Sequence, residues 1–500
     1  MNKIINNKIN KLGGQTNVLQ TEITTNTENT MGKKTTFNKF GATALAISIA
    51  IGGMGFTNVS VATAESLRDA LSAAYTSNPD LLAQRASLRA TDEGVARATS
   101  GFLPVISANS QISKSTTDQQ FGTSPLQTFD SDNKFYSARV DQSLFSGFQS
   151  YNGRKEARNL VDAGRALLLS SEQQTLLNAV TAYMDVVRDE AVLRLTGNNV
   201  QVLARQLQAS RDRFRVGEIT RTDVAQSEAR FEGSKAAQIS AEANLASSRA
   251  VYRQVIGNTP GTLDQPPALP ELPTDIDSAI AIAIEENPQI AVAHYNEKAA
   301  SHAISRNQGS LLPQVGAFAS ISRSEGSSLQ FSTNSLTENM QTAKTIGIQA
   351  QWQLYQGGAE YSDVRRAKQQ RSQRRLEMVS ADRQVRADVR STFEQYRASI
   401  STIQSNQTQV RANEIALEGV RQEAAVGSRT TLDVLNGEQE LLDARVNLVR
   451  AERNRYVAGF QLLLTVGRLN AVSLDLPVEL YDPEDYYKDI RWKMVGWGTE

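Results

Sequence analysis

The chain has no cysteine and few aromatic residues, which fill 6% of its 500 positions. Without cysteine it can form no disulfide, no thiolate metal site and no lipidated N-terminal cysteine. The low aromatic share, beside an apolar share of 40%, is more typical of long solvated helices than of a dense globular core. Beyond residue 64 there is no run of 18 apolar residues, so any membrane-spanning part of the exported chain must consist of strands.

Catalytic motifs are also missing, since the sequence contains no P-loop, no G-x-S-x-G and no H-E-x-x-H. Its two histidines, His294 and His302, are separated by about 12 Å of helical rise, too far to share one metal ion. We therefore expect no enzyme activity, no cofactor and no metal site. Energy for any transport would have to come from a partner protein.

The N-terminal residues have the pattern of a secretory signal. Three lysines precede an apolar run over residues 42–56, and residues 62–64 form the small-x-small sequence Ala-Thr-Ala. We predict a signal peptide over residues 1–64, with Met31 as an alternative start and a membrane anchor as the alternative interpretation. Cleavage would remove six lysines and two glutamates from 53 basic and 53 acidic residues, leaving 47 and 51. The resulting charge of −4 does not indicate a nucleic-acid partner.

The remaining chain repeats itself once, with an offset of 209 or 210 residues between matching landmarks. We predict a first repeat over residues 65–257 and a second over residues 275–467. Five of the twelve prolines fall within residues 258–274, which predicts an extended linker, and residues 468–500 remain as a C-terminal tail. The paired landmarks are Asn78-Pro79 and Asn287-Pro288, Leu103-Pro104 and Leu312-Pro313, Leu144-Phe145 and Leu354-Tyr355, Val216-Gly217 and Val426-Gly427, and Ile256-Gly257 and Val466-Gly467.

Each repeat predicts the same elements. A first helix, over residues 68–101 and 276–310, ends at a Leu-Pro pair. Two strand-like segments follow, joined by polar loops at residues 119–134 and 324–343. A very long helix, the Val-Gly turn and a further helix complete the repeat.

The strand-like segments alternate apolar and polar residues. The segment TIGIQAQWQL begins at Thr345. Its residues Ile346, Ile348 and Trp352 share one face, whereas the other face carries threonine, glycine and glutamine. This pattern is typical of transmembrane β-barrel strands. It also fits a soluble hairpin with one face on a core, and the alternation alone leaves both interpretations open.

Apolar residues in the long segments recur every seven positions, which indicates coiled-coil packing; an ordinary amphipathic bundle is the alternative. The segment from Ser150 to Arg213 would span roughly 96 Å as a helix, and two shorter helices stacked end to end would match it. This predicts a rod about 100 Å long, with the strands at one end and the Val-Gly turns at the other. Four strands cannot close a barrel, so several copies should pool their strands and helices.

These landmarks, with the segment VGSRTTLDVLNGEQELLDARVNLVRAERNRYVAGFQLLLTVGRL from Val426, resemble the TolC-type outer-membrane efflux and type I secretion channel family over residues 65–470. The resemblance implies a mainly α fold with a small β part. It implies a homotrimer in which four strands per chain form a twelve-stranded outer-membrane β-barrel and antiparallel coiled-coil helices form a periplasmic α-barrel. The implied partners are a periplasmic adaptor, an inner-membrane pump of ABC, RND or MFS type, and outer-membrane lipid. The linker and the tail would lie in a belt around the middle of the tube.

The resemblance also assigns roles to the Val-Gly turns. Gly217 and Gly427 would lie at the periplasmic tips, where glycine allows a tight helix-to-helix turn. The four threonines at positions 220, 222, 430 and 431 can cap the outgoing helices. The family pattern implies that Arg429 closes the tip by bonding Asp223, and that Asp433 contributes to an acidic ring that favours cations.

Two departures from the family pattern weaken this expectation. Asn436 stands where the family has a second acidic residue, and Ala424 stands where it has a tyrosine of the lock. The ring and the lock should therefore be weaker than in the family. The alternative is that Arg429 is a solvated surface residue whose loss matters by less than about 1 kcal/mol.

We expect a passive channel in the outer membrane of a Gram-negative bacterium. It would span the periplasm as the exit duct of a tripartite efflux pump, a type I protein secretion system, or both. A periplasmic adaptor or a structural coiled-coil rod is the alternative, although an adaptor carries one helical hairpin and a β-rich body. A simple porin would need many more strands and no heptads.

Overall fold

The computed structural model describes residues 65–120, 122–330, 335–493 and 495–498. The predicted signal peptide, residues 1–64, lies outside these described residues. No helix among them is long and apolar enough to cross a membrane. In chain order the elements are α1 (Leu67–Ser77), α2 (Pro79–Thr99), β1 (Val105–Gln119), β2 (Gln127–Phe145), α3 (Gln149–Arg215), α4 (Arg221–Ile256), α5 (Ile276–Glu286), α6 (Pro288–Gln308), β3 (Gln314–Gln330), β4 (Ser335–Gln351), α7 (Ala359–Ala425), α8 (Thr431–Val466) and α9 (Asp485–Ile490).

The first helix of each repeat is interrupted at its Asn-Pro pair. Asn78 has an extended backbone (ψ 122°), and its side chain accepts from the backbone N–H of Asp80 at 3.0 Å. Proline disfavours helical geometry in the residue before it, so α1 ends at Ser77 and α2 begins at Pro79. The predictions of continuous helices over 68–101 and 276–310 were therefore wrong, because Asn287-Pro288 breaks the second repeat in the same way.

The four strands form one antiparallel sheet in the order β1-β2-β3-β4. The register places four apolar residues side by side on one face, and that face is exposed: Ile106 and Ile346 retain 75% and 86% of their accessible surface. No part of the described chain serves as a core for this face, which argues against the soluble hairpin. The row across the sheet is Ile106, Val140, Ala319 and Ile346.

The strands are longer than the sequence predicted. The ladder between β1 and β2 continues to Gln119 opposite Gln127, so the predicted loop over residues 119–134 was too long. Cross-strand bonds between polar side chains extend the pairing, such as that from Thr128 Oγ1 to Asp118 Oδ1 at 2.5 Å. The predicted loop over 324–343 was also too long, because β3 and β4 pair as far as Gln330 and Ser335.

The helical part consists of two hairpins, α3 with α4 and α7 with α8. The long helices α3 and α7 have 67 residues each, which corresponds to about 100 Å. The shorter helices stack end to end, as predicted. Asn78 Nδ2 donates to Val255 O at the end of α4 (2.9 Å), and Asn287 Nδ2 donates to Thr465 O at the end of α8 (2.8 Å).

Each of these asparagines therefore caps two helices at one joint. The side-chain oxygen of Asn287 accepts from the first turn of α6 at Gln289 N (2.8 Å), while its amide nitrogen bonds the last turn of α8. Both helices run in the same direction, so the negative end of one dipole meets the positive end of the next. The stacked helices, α4 with α2 and α8 with α6, thus form continuous walls, although the helices of each stack are far apart in the sequence.

The largest core lies beside the middle of α3, where the linker and the tail pack against the helices. The hydroxyl of Tyr183 donates to Asp264 O in the linker at 2.8 Å. Glu172 accepts from Ala471 N in the tail at 2.8 Å, and Tyr481 N donates to the hydroxyl of Tyr75 at 3.1 Å. These contacts hold both irregular segments at the level of the two joints.

One carboxyl group in this region is buried without a hydrogen bond. Asp92 on α2 is 1% exposed, and neither of its oxygens has a partner among the described residues. Burial raises the pKa of Asp92 to about 6, although the charge of Arg165 opposes this shift. Arg165 itself bonds Asp162 and Glu484 at 3.4 and 3.3 Å.

Candidate functional site: the two helix turns

The turn between α3 and α4 is built around Gly217. Its φ of +78° lies in the left-handed region, which glycine adopts without a Cβ penalty. The N–H of Gly217 donates to Phe214 O at 3.0 Å, and the N–H of Glu218 donates to Arg213 O at 2.9 Å. These bonds satisfy carbonyls at the C-terminus of α3 and reverse the chain within a few residues.

The turn between α7 and α8 has the same construction. Gly427 has φ +82° and donates to Ala424 O at 3.2 Å, while Ser428 N donates to Glu423 O at 2.9 Å. Both glycines thus have the left-handed backbone conformation that this tight helix-to-helix turn requires.

The two predicted acidic residues, Asp223 and Asp433, each close a capping box. One oxygen of Asp223 accepts from Thr220 N and Thr220 Oγ1 at 2.9 and 2.7 Å, and Asp433 accepts the same two bonds from Thr430 at 2.9 and 2.8 Å. These bonds hold the pKa of both carboxyls below the usual range. Both side chains are therefore ionised at neutral pH.

The threonine prediction holds for one residue of each pair. Thr220 and Thr430 are the N-caps, whereas Thr222 and Thr431 lie within the first turn of α4 and α8. The sequence already contains the signal, since Thr-x-x-Asp has the spacing of a capping box.

Arg429 bonds a residue that the sequence analysis did not identify. Its Nε donates to Glu423 Oε2 at 2.8 Å, and both side chains are 51% exposed. The adjacent Glu423 carboxylate, and secondarily Asp433, raise the pKa of Arg429. The predicted bond from Arg429 to Asp223 stays a prediction for the assembled channel. Glu423 lies across the turn from Arg429, and only the folded turn brings the two together.

Asn436 also has an unforeseen partner. Its side-chain oxygen accepts from Arg230 at 2.8 Å, which joins α8 to α4. Asn436 therefore ties the two hairpins together near their turns. The two residues are 206 positions apart, so spacing gave no signal for this contact.

The arrangement as a whole presents charged side chains at the ends of the two hairpins. Within the part of the chain that the structure describes, no cluster of three His, Asp or Glu residues could hold a metal ion. Ionised carboxylates and arginine side chains lie together at these turns, so the turns can attract cations or form ion pairs.

Two long helical hairpins that carry a four-stranded sheet with an uncovered apolar face are the architecture of an outer-membrane channel protein. The sequence pattern of the outer membrane efflux protein family matches residues 70–258 and 279–468. The chain belongs to this family, and the outer membrane of a Gram-negative bacterium is its location.

Individual relatives agree with this assignment. The outer membrane efflux protein BepC of Brucella suis is 35% identical over 461 residues, covering 91% of this chain and 96% of the relative. The outer membrane protein TolC of Escherichia coli is 27% identical over 446 residues, covering 86% and 87%. The crystal structure of the CmeC outer membrane channel of Campylobacter jejuni shares the fold, with a TM-score of 0.71, 13% identity, and coverage of 85% of this chain and 89% of that chain.

Proposed function

We propose that three copies of this chain form one passive channel that serves as the exit duct of a tripartite efflux pump or a type I secretion system. The observation that carries the proposal is the exposed apolar face of a sheet with two edge strands. Among the residues that the structure describes, β1 pairs only with β2, and β4 pairs only with β3. Pairing β4 of one copy with β1 of the next would close a twelve-stranded barrel and remove these edges.

The aromatic residues at the helical end of the sheet support this placement in the membrane. Phe148, Trp352 and Tyr355 are all more than half exposed, and Trp352 Nε1 donates to Leu311 O at 3.1 Å. Aromatic side chains collect where the apolar band of a barrel meets water. The apolar row would face lipid, and the polar face of the sheet would face the lumen.

At the other end, the two turns would form the periplasmic tip. Arg429 would bond Asp223 in the closed state, and Asp433 would line the entrance, where three copies place three ionised carboxylates around one pore. Asn436 adds no charge and is held by Arg230. An adaptor and an inner-membrane pump would dock at this end, and the pump would supply the energy.

The proposal is tested by single-channel conductance in a planar bilayer, with the native protein beside Arg429→Ser. A small native conductance that rises several-fold in the variant would support both the channel and the gate. Arg215→Ser is the matched control, because Arg215 is an exposed arginine in the last turn of α3 that pairs with Asp212. It should behave like the native protein.

Two outcomes would contradict parts of the proposal. Equal conductance of native protein and Arg429→Ser would keep the channel and remove the gate. A protein that stays soluble without detergent and conducts nothing would favour the periplasmic adaptor or coiled-coil rod.

A further inference from the structure

The two turns contain different ion pairs: Arg213 lies 3.8 Å from Glu218 in the first, whereas Arg429 bonds Glu423 at 2.8 Å in the second. Both turns make the same backbone bond, from Glu218 N to Arg213 O and from Ser428 N to Glu423 O, each at 2.9 Å. The residue six positions after the accepting carbonyl is Ile219 in the first turn and Arg429 in the second. The bond holds this residue beside the last turn of the long helix. In the first turn that position holds an apolar side chain, Ile219, whereas in the second it holds Arg429, whose guanidinium bonds the carboxylate of Glu423.

The Glu423 side of this pair is well anchored. Ser428 donates to the carbonyl of Glu423 through both its N–H and its hydroxyl, at 2.9 Å each. These two bonds fix the backbone of residue 423 next to Arg429, so the pair forms without any contribution from another hairpin. It directs the guanidinium back along α7, towards its own hairpin.

Asp223 remains able to receive a guanidinium. Both bonds from Thr220 reach its Oδ2 atom, and Oδ1 carries no hydrogen bond among the described residues. The capping box can therefore persist while Oδ1 accepts from an arginine. Exposed ion pairs are weak and similar in energy, so one guanidinium can exchange between two such carboxylates.

We propose that Glu423 is a positioning residue of the gate, which competes with Asp223 for Arg429 and thereby favours the open tip. This inference rests on the proposed channel and on its Arg429–Asp223 closure. The bond to Glu423 withdraws Arg429 from the closure in each copy, and loss of Glu423 leaves Asp223 as the carboxylate partner across the tip. Glu423 thus sets how often the tip opens without contacting the cargo.

The test is single-channel recording of Glu423→Gln, which keeps the size of the side chain and removes its charge. Competition predicts an open fraction roughly two to five times lower than in the native protein. Arg429→Ser should raise conductance, and the double variant should match Arg429→Ser, because Glu423 acts only through Arg429. Glu418→Gln is the matched control: it removes the same charge from α7, where Glu418 bonds Gln422 and Arg421, and should match the native protein.

Three results would overturn the inference. They are an unchanged open fraction in Glu423→Gln, an increased one (which would make Glu423 part of the closure), and an equal fall in Glu418→Gln, which would indicate a general charge effect. If Arg429→Ser leaves the conductance of a working channel unchanged, the gate and this inference fail together. If the native protein forms no channel, the proposed function itself fails.

Discussion

Replacement of Asp92 by asparagine should stabilise the protein at neutral pH. Asp92 is buried without a hydrogen bond among the described residues, and its charge lies near Arg165, which bonds Asp162 and Glu484 instead. Burial raises the pKa from 3.8 to about 6. A difference of two units corresponds to about 3 kcal/mol, which the charged carboxylate costs the folded state above pH 6. Asparagine resembles the protonated acid and carries no such cost.

The sign of the pH dependence follows from the raised pKa. Above about pH 6 the carboxylate is charged in both the folded and the unfolded chain, so the variant has its full advantage. As the pH falls from about 6 to about 4 the folded native protein takes up the proton first, and the advantage shrinks to nothing. The native protein is thus more stable when Asp92 is protonated.

The assay is thermal unfolding of the detergent-solubilised protein, followed by circular dichroism at pH 7.5 and pH 4.5. For a chain of this length, 3 kcal/mol corresponds to a rise in Tm of about 3 °C. Glu440→Gln, at an exposed carboxylate on α8, controls for the loss of one charge. An equal gain at both pH values, or a loss of stability at pH 7.5, would refute the reasoning.

Two further predictions concern the joint between α8 and α6, and both are checked by thermal unfolding at neutral pH. Asn287→Ala removes a cap and the buried bond to Thr465 O and should lower the free energy of unfolding by about 2–3 kcal/mol. Asn287→Ser keeps the cap and should cost about half as much. Equal losses of stability would show that the hydrogen bond from the amide to Thr465 O does not matter. Gly467→Ala places a Cβ 2.5 Å from Glu286 O at φ +90°, so it should destabilise more than Gly427→Ala, which meets nothing within 4 Å and should cost about 1 kcal/mol. Equal effects would contradict the close approach at Gly467.

Features that repeat along the chain could be predicted from the sequence. The offset between the repeats, the heptads and the alternating strands gave a mainly α fold with four strands, two long helices and end-to-end stacking. Each of these features rests on a period, which is a local property of the sequence. The break at Asn78 could also have been predicted from the sequence, since asparagine before proline signals a cap. The helical pattern on both sides of the pair concealed it.

Contacts that depend on how the chain folds could not be predicted in this way. The ends of β1 and β2 read as polar loops, because pairing depends on a partner strand rather than on apolar alternation. Arg230 meets Asn436 only because two hairpins pack side by side. Glu423 meets Arg429 only because a left-handed glycine turns the chain back on itself. The residues at the tips were identified, but the partner of each side chain depended on the fold.

At the joints at Asn78 and Asn287, the helix that comes next in the wall is not the helix that comes next in the sequence. At each joint the wall is held by hydrogen bonds and apolar packing rather than by a peptide link, so the polypeptide is free to leave and re-enter there. The linker, α1, α5 and the tail all attach at or near this level. Insertions or deletions in these segments should therefore alter the girth of the molecule at its middle without shifting the register of the helices above or below. A fusion partner or a reporter domain placed in the linker should consequently be tolerated better than one placed within α3 or α7.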